Sequence, residues 1–213
     1  MAKKFGNIRV TWDLVILGLL ALLWAFASLT TKNFISATNV SQIFSNTSEI
    51  TIMAFAVTLL IIAGEIDLSI AANLALSSSV LGYTYRAGAP IVLSIVIAIL
   101  VGALCGAING FFVTKVKLNS LAVTIATMAL FRGIANGLVG SKPISEFPDG
   151  WTSFGFDTFG TSFVPKTLPM IIVLAIIFAL ALHRTPFGRR TFAIGQSVDA
   201  AKFAAVVGLD GLA

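Results

Sequence analysis

An apolar stretch running from Ile52 to Leu81 is broken at its centre by Gly64-Glu65-Ile66-Asp67-Leu68-Ser69. Two carboxylates fall between Met53–Ala63 on one side and Leu74–Leu81 on the other. Ionisable groups at membrane depth are costly, so they face a bundle interior, line a watery cavity or lie at a turn. A soluble core of this length rarely tolerates such a break. The stretch points to an integral membrane protein that holds something polar inside its helices. Composition agrees, with 57% apolar and 11% charged residues, against ~45–50% and ~25% in globular domains.

The apolar segments predict an all-α, polytopic fold of about six transmembrane helices in a single membrane domain over residues 1–213. The spans are expected at Trp12–Thr30, Val40–Ala63, Leu68–Tyr85, Pro90–Val113, Leu121–Gly140 and Leu168–His183. Each is near the ~20 residues needed to cross ~30 Å of hydrocarbon. The second and third spans are joined too tightly for an aqueous loop. They form a hairpin, or Gly64–Ser69 is an unwound segment buried in the protein. The first apolar run is too long for a signal-peptide core and is read as a retained span.

Charge sets the expected topology. With the N-terminus cytoplasmic, Lys3, Lys4, Arg9, Lys115, Lys117, Arg184, Arg189, Arg190 and Lys202 fall inside, and Lys32, Arg86, Lys142 and Lys166 outside. This is the positive-inside bias, and it accounts for the net charge of +5 without a nucleic-acid partner. Tyr83, Tyr85 and Trp12 suit interface belts. Residues 141–166 form the one long external segment. Its aromatic content sets it apart from a disordered linker, and it is expected to pack on the external mouth with room for a short helix.

Several constellations stand out. Gly102, Gly106 and Gly110, with Gly133 and Gly137, have the small-residue spacing that lets helices approach closely. Asp67 has two readings, as the N-cap of the third span or as part of a polar substrate path with Glu65. Ser69, Asn73 and Ser77 extend that path along one helix face, and Asn109 adds an amide. Hydroxyls, amides and carboxylates suit a neutral polyol. Arg132 lies roughly 16 Å along the fifth span, where a partner is expected, with Glu65 or Asp67 as candidates; the alternative is a helix that begins early, at Lys117, and leaves Arg132 nearer the external side. His183, beside Arg184, complements a helix end. Cys105 and His183 are the sole cysteine and histidine, which excludes an intrachain disulfide and any site built from those two types alone. No nucleophile–base motif or phosphate loop is present in the sequence. After a stop at Gly195, Asp199 to Val207 can form a short cytoplasmic helix suited to a partner's groove.

Four ordered blocks resemble the ribose-type permease family of bacterial ATP-binding-cassette importers, which takes up sugars and the autoinducer-2 signal. They are Gly64–Ile70, Gly106–Gly110 with Val113-Thr114-Lys115, Thr124–Met128 with Arg132-Gly133, and Phe187-Gly188-Arg189 with Ala193-Ile194-Gly195 and Asp199–Phe203. Glu65, Ala71 and Ala205 depart from the family's glycines or small residues. The resemblance implies a transport subunit of the bacterial inner membrane, not an enzyme, incomplete at its C-terminus. It implies a partner permease, cytoplasmic ATPase subunits carrying ATP and Mg, and an external substrate-binding protein. The cytoplasmic coupling segment would be residues 184–207, with Gly195, Asp199, Ala200, Ala201, Lys202 and Phe203 at the ATPase. The chain itself would bind no cofactor beyond membrane lipid. The alternatives are an ion- or proton-coupled secondary transporter using Glu65, Asp67 and Arg132, or a non-transporting membrane scaffold.

Overall fold

The structure, a computed structural model, describes residues 12–140, 144–160 and 164–197, the side chain of Asp13 excepted. Its helices are α1 (Trp12–Thr30), α2 (Ala37–Ile62), α3 (Ile70–Arg86), α4 (Ile91–Thr114), α5 (Ser120–Val139), α6 (Asp149–Phe156), α7 (Leu168–Arg184) and α8 (Pro186–Gln196). Extended pairing among the described residues is limited to a bridge between Thr158 and Pro165.

Local chemistry fixes the helix ends. Ser36 caps α2 by accepting the Asn39 N–H at 3.2 Å. Gly64, at φ +81°, turns the chain out of that helix. The Glu65 N–H then returns to the Leu60 carbonyl at 2.9 Å and the Gly64 N–H to Ile61 at 3.0 Å. This Schellman closure needs a left-handed residue, and glycine adopts that conformation without steric cost. Gly88 closes α3 in the same way. Asn119 caps α5, and Thr185 caps α8 ahead of Pro186, the favoured first helical residue.

Two clusters organise the helices. In the first, α3 packs against both α5 and α4. Ala72, Leu76, Cys105, Phe131 and Ala135 form its buried core. In the second, α2 packs against α7 and α8 and touches α6. A Phe55–Phe178 stack at 5.5 Å and a Ser48–Thr167 hydroxyl pair at 3.1 Å hold α2 to α7. The α1 helix is exposed along most of its length, and Trp24 meets Phe34 edge-on at 5.4 Å. The segment around α6 packs on the far end of α3, where Phe147 stacks on Tyr85 and Ile144 covers Gly82.

Helices occur at all six expected span positions. Of these, α2, α4 and α5 are long and apolar enough to cross a bilayer, and α7 with α8, bent by 69°, forms a fourth if the pair is one span. The apolar part of α1 is shorter. A helix of α3's length rises about 25 Å, short of the ~30 Å hydrocarbon. It also carries Asn73, Ser77, Ser78 and Ser79, which its central position between α4 and α5 accommodates. The protein is thus an all-α, multi-pass membrane protein.

Three expectations need correction. The spacing of glycines predicted a continuous packing groove, but only Gly102 lies at a close contact. A Cβ there would stand 2.9 Å from Ser77 Oγ, whereas Gly106, Gly110, Gly133 and Gly137 face open space. At 3.6 residues per turn a strict four-residue repeat rotates about 40° per step. It drifts off the seam, which α4 keeps with Ser94, Ala98, Cys105 and Asn109. Gly195 does not stop a helix ahead of it, since α8 runs through it to Gln196. The helix foreseen over 199–207, with Asp199, Ala200, Ala201, Lys202 and Phe203, lies outside the described residues. The third correction concerns Arg132 and is given with the site.

Candidate functional site: a polar break between α2 and α3

The segment Ala63–Ser69 is not helical, and α2 and α3 belong to different clusters. The hairpin alternative therefore gives way to the unwound one, though the segment is only partly buried, with Gly64, Ile66 and Leu68 exposed. Irregular backbone in a membrane protein must satisfy its polar groups internally, and within the break one side chain does part of this. Asp67 Oδ1 accepts both the Ser69 N–H and the Ser69 Oγ–H, each at 2.7 Å. Asn109 Nδ2, from α4, donates to Ser69 Oγ at 2.8 Å. Ser69 is 1% exposed and Asn109 6%, so this contact is sealed within the first cluster.

Asp67 acts as a capping carboxylate from a position other than the cap. Ser69 occupies the N-cap of α3 and makes no side-chain cap bond of its own. Asp67, two residues upstream, closes an Asx-type turn over it. One turn further along α3, Asn73 Nδ2 donates to the Gly102 carbonyl at 3.1 Å, and the Ser77 hydroxyl lies 3.4 Å from Asn73 Oδ1. Asp67, Ser69, Asn73 and Asn109 therefore form one polar seam between α3 and α4. Asn109 Oδ1, though buried, has no partner among the described residues. A buried acceptor left open is costly, so the seam retains capacity for one further donor.

Glu65 and Arg132 stand outside this seam. Glu65 is half-buried, and its backbone N–H serves the α2 closure. Arg132 is exposed and pairs with neither carboxylate; the ion pair among the described residues is Lys166–Asp157 at 3.2 Å. The reason is angular. The packing face of α5 carries Val123, Thr124, Thr127, Phe131 and Ala135, and Arg132 is rotated about 100° past Phe131. Sequence reasoning missed Thr124 as a site residue. Its hydroxyl bonds back to Ser120 at 2.8 Å and lies 3.5 Å from the Ile66 carbonyl, so it braces the break from α5. Its buried place in the α5 stripe was the available signal.

The far side of the break meets α8. A Cβ at Gly195 would run into the Ile62 carbonyl at the end of α2. Glycine is required at that contact because two backbones meet there directly. The helix at the end of the described chain is therefore seated beside the polar break.

Residues 39–207 match the family described as branched-chain amino acid transport system / permease component. The chain belongs to that family. It is 35% identical over 185 residues to the ribose import permease protein RbsC of Bacillus subtilis (strain 168), covering 85% of this chain and 56% of that relative. It is 32% identical over 211 residues to the autoinducer 2 import system permease protein LsrD of Escherichia coli (strain K12), covering 94% and 62% respectively. The chain thus spans about three-fifths of the length of these curated relatives. No solved structure matches it. The resemblance drawn from the four sequence blocks is borne out at family level. Family membership and the apolar helices identify a multi-pass protein of the inner membrane.

Proposed function

We propose that the chain is the permease subunit of an ATP-binding-cassette importer for a small sugar or polyol. The observation that carries this reading is the seating of α8 on the end of α2, beside the polar break. A cytoplasmic ATPase pushing on the coupling segment 184–207 would act through α8 at that contact. The displacement would reach Asp67, Ser69 and Asn109 through the short Ala63–Leu68 connection. The family's amino-acid description and the two relatives' names point to different substrates. The seam favours hydroxylated ones, because it offers amide and hydroxyl groups and a carboxylate already bound to Ser69. A cationic partner for a substrate carboxylate is lacking in the seam.

In this reading the chain binds, gates and couples, and it is not an enzyme. ATP and Mg reside on the partner ATPase. A second permease completes the pathway and an external binding protein delivers substrate. The N-terminus is cytoplasmic. Glu65 and Arg132 would line the path from outside the seam, and Asp199, Ala200, Ala201, Lys202 and Phe203 would reach the ATPase beyond Gly195.

A mild-detergent pull-down from native membranes tests the assignment. Recovery of a cytosolic ATPase, lost on deleting Asp199–Phe203, is the expected result. An inserted chain that recovers no ATPase would sink the importer reading for this chain. Uptake that collapses with an uncoupler while ATP is clamped would favour a secondary transporter instead.

A further inference from the structure

A cavity lies at the end of α3 remote from the polar break. It encloses about 360 Å³ between Leu81 and Gly82 of α3, Val139 at the end of α5, and Ile144, Phe147 and Trp151 before and within α6. That volume is within the roughly 300–1,000 Å³ of small-molecule sites. The Phe147–Tyr85 stack at 5.5 Å and the cover of Ile144 over Gly82 hold its outer wall against α3.

Nothing in this lining calls for a hydroxylated guest. Its two hydroxyls, those of Ser78 and Ser79, are both spent on the Ala75 carbonyl, at 3.0 and 2.7 Å. Such back-bonding is ordinary for serines in membrane helices. The other lining side chains are aliphatic or aromatic, and no charged residue lines the cavity among the described residues. Apolar walls of this kind favour burial of hydrocarbon.

A cation stands at the rim. Arg86 follows Gly82 by four residues, so it lies on the same side of α3, one turn or about 6 Å nearer the helix end. It is exposed, and no acid pairs with it among the described residues; its guanidinium stands 6.0 Å from the centre of the Tyr83 ring. Lys166, by contrast, is neutralised by Asp157. In the orientation proposed above this end of α3 is external, where the positive-inside bias supplies no reason for an arginine. Tyr83, Tyr85 and Trp151 are the residue types that sit at headgroup level.

From this arrangement we infer a site for an anionic phospholipid of the outer leaflet. Arg86 would pair with its phosphate, and one acyl chain would descend into the cavity between Leu81, Val139 and Phe147. The vertical order is that of a lipid in its leaflet, with charge at the helix end and hydrocarbon a turn deeper. A zwitterionic headgroup brings its own cation to the phosphate, so the unpaired guanidinium favours one with net negative charge. A sugar fits poorly, because the lining hydroxyls are already spent. The inference goes beyond the importer reading and draws on it only for the side of the membrane. Its test is lipid binding, which is indifferent to whether an ATPase docks.

The test uses Trp151 as reporter. Replacing Trp12 and Trp24, the other two tryptophans, by Phe leaves it alone in the full chain. The chain is placed in phosphatidylcholine vesicles carrying increasing dibrominated phosphatidylglycerol, whose bromines quench indole fluorescence on contact. Quenching that saturates at a low lipid fraction is expected, with brominated phosphatidylcholine over the same range giving only a weak linear response. Arg86→Gln should raise the fraction needed for half-quenching about fivefold. Ser78→Phe sets a ring in the cavity from an exposed position and should remove the saturable phase. Protection of the buried Cys105 thiol from a maleimide dye checks that each variant is folded. Quenching that grows only linearly with brominated phosphatidylglycerol overturns the inference, since it reports bulk lipid alone. So does an equal response to the two headgroups, or a saturable phase that survives Ser78→Phe in the folded chain.

Discussion

In the α3–α4–α5 cluster the close approaches run through polar side chains. Asn109 reaches Ser69 and Asn73 reaches the Gly102 carbonyl, and each bond fixes a register. In the α2–α7–α8 cluster they run mainly through rings and bare backbone, with Phe55 on Phe178 and Gly195 on the Ile62 carbonyl, beside one hydroxyl pair, Ser48–Thr167. Hydrogen bonds between side chains tolerate little sliding. Stacked rings and a glycine contact define a distance more than a position. The difference teaches that the polar break joins a half registered by several side-chain hydrogen bonds to a half registered by fewer, an arrangement suited to converting a push on α8 into a local rearrangement at Asp67. Cys105 is the only cysteine in the chain and is buried in the first cluster. Its reaction with a thiol dye therefore reports one half of the molecule selectively.

The largest effect should come from Gly195→Val. No rotamer adjustment removes a Cβ from a backbone carbonyl, so α8 must leave its seat. Tryptic cleavage at Arg189 and Arg190 should then accelerate by roughly an order of magnitude, through local opening of that helix. Cys105 labelling should stay at the wild-type rate. If the two probes change together, the halves are a single cooperative unit and the contrast fails.

Ser69→Ala attacks the half with more side-chain hydrogen bonds. It leaves Asn109 Nδ2 without its acceptor in a sealed site and takes one donor from Asp67. The expected loss is about 1–3 kcal/mol, read as a lowered thermal midpoint by Cys105 labelling in detergent. A loss under about 0.5 kcal/mol would mean that the seam is not what holds α3 to α4.

A pair of alanine substitutions sharpens the same comparison within one helix. Gly102→Ala places a Cβ 2.9 Å from Ser77 Oγ and 3.7 Å from Asn73 Oδ1, so Ser77 must rotate away, at a cost of about 1 kcal/mol. Gly106→Ala meets nothing within 4 Å and should stabilise α4 by roughly 0.5–1 kcal/mol through helix propensity. Opposite signs in thermal midpoint are expected. Equal losses would restore the continuous glycine groove that the four-residue spacing suggested.

These residues also show what the sequence could reveal. Helix positions were legible because apolar length and turn chemistry are local: the α1 bounds coincide with the expected span, and the Gly64 break was visible as an interruption of hydropathy. The grouping of Asp67, Ser69, Asn73 and Asn109 was legible because charge and amides inside apolar runs need partners. Azimuth was not. A spacing of four suggests a stripe, but whether Gly106 or Cys105 faces the neighbour depends on a rotation that only packing sets. The same limit misdirected Arg132, whose depth along α5 was readable but whose face was not. The helix over Pro186–Gln196 was hidden by two glycines and a proline, which propensity reads as loop. Close backbone contacts at Gly188 and Gly195 require those glycines inside a packed helix.

The smallest effect belongs to Asp157, at the C-cap of α6. Its carboxyl is held below the usual carboxylate range, first by the Ser153 hydroxyl bond and then by Lys166. A depressed folded pKa means that the clasp contributes above the ordinary value of ~3.9 and is lost as pH falls through the lower folded value. Between neutral pH and the ordinary carboxylate range the charge should therefore stay constant. Carbon NMR of labelled aspartate should give a titration midpoint below that range. Ser153→Ala should raise the midpoint more than Lys166→Met does, because the hydroxyl bond has the larger influence. The group is exposed, so solvent screening keeps the effect on overall stability small, and Cys105 labelling should not register it. If Asp157 titrates at its ordinary value, the Ser153–Asp157–Lys166 clasp is not formed. The side-chain tie that holds Lys166, ahead of α7, to the end of α6 is then absent.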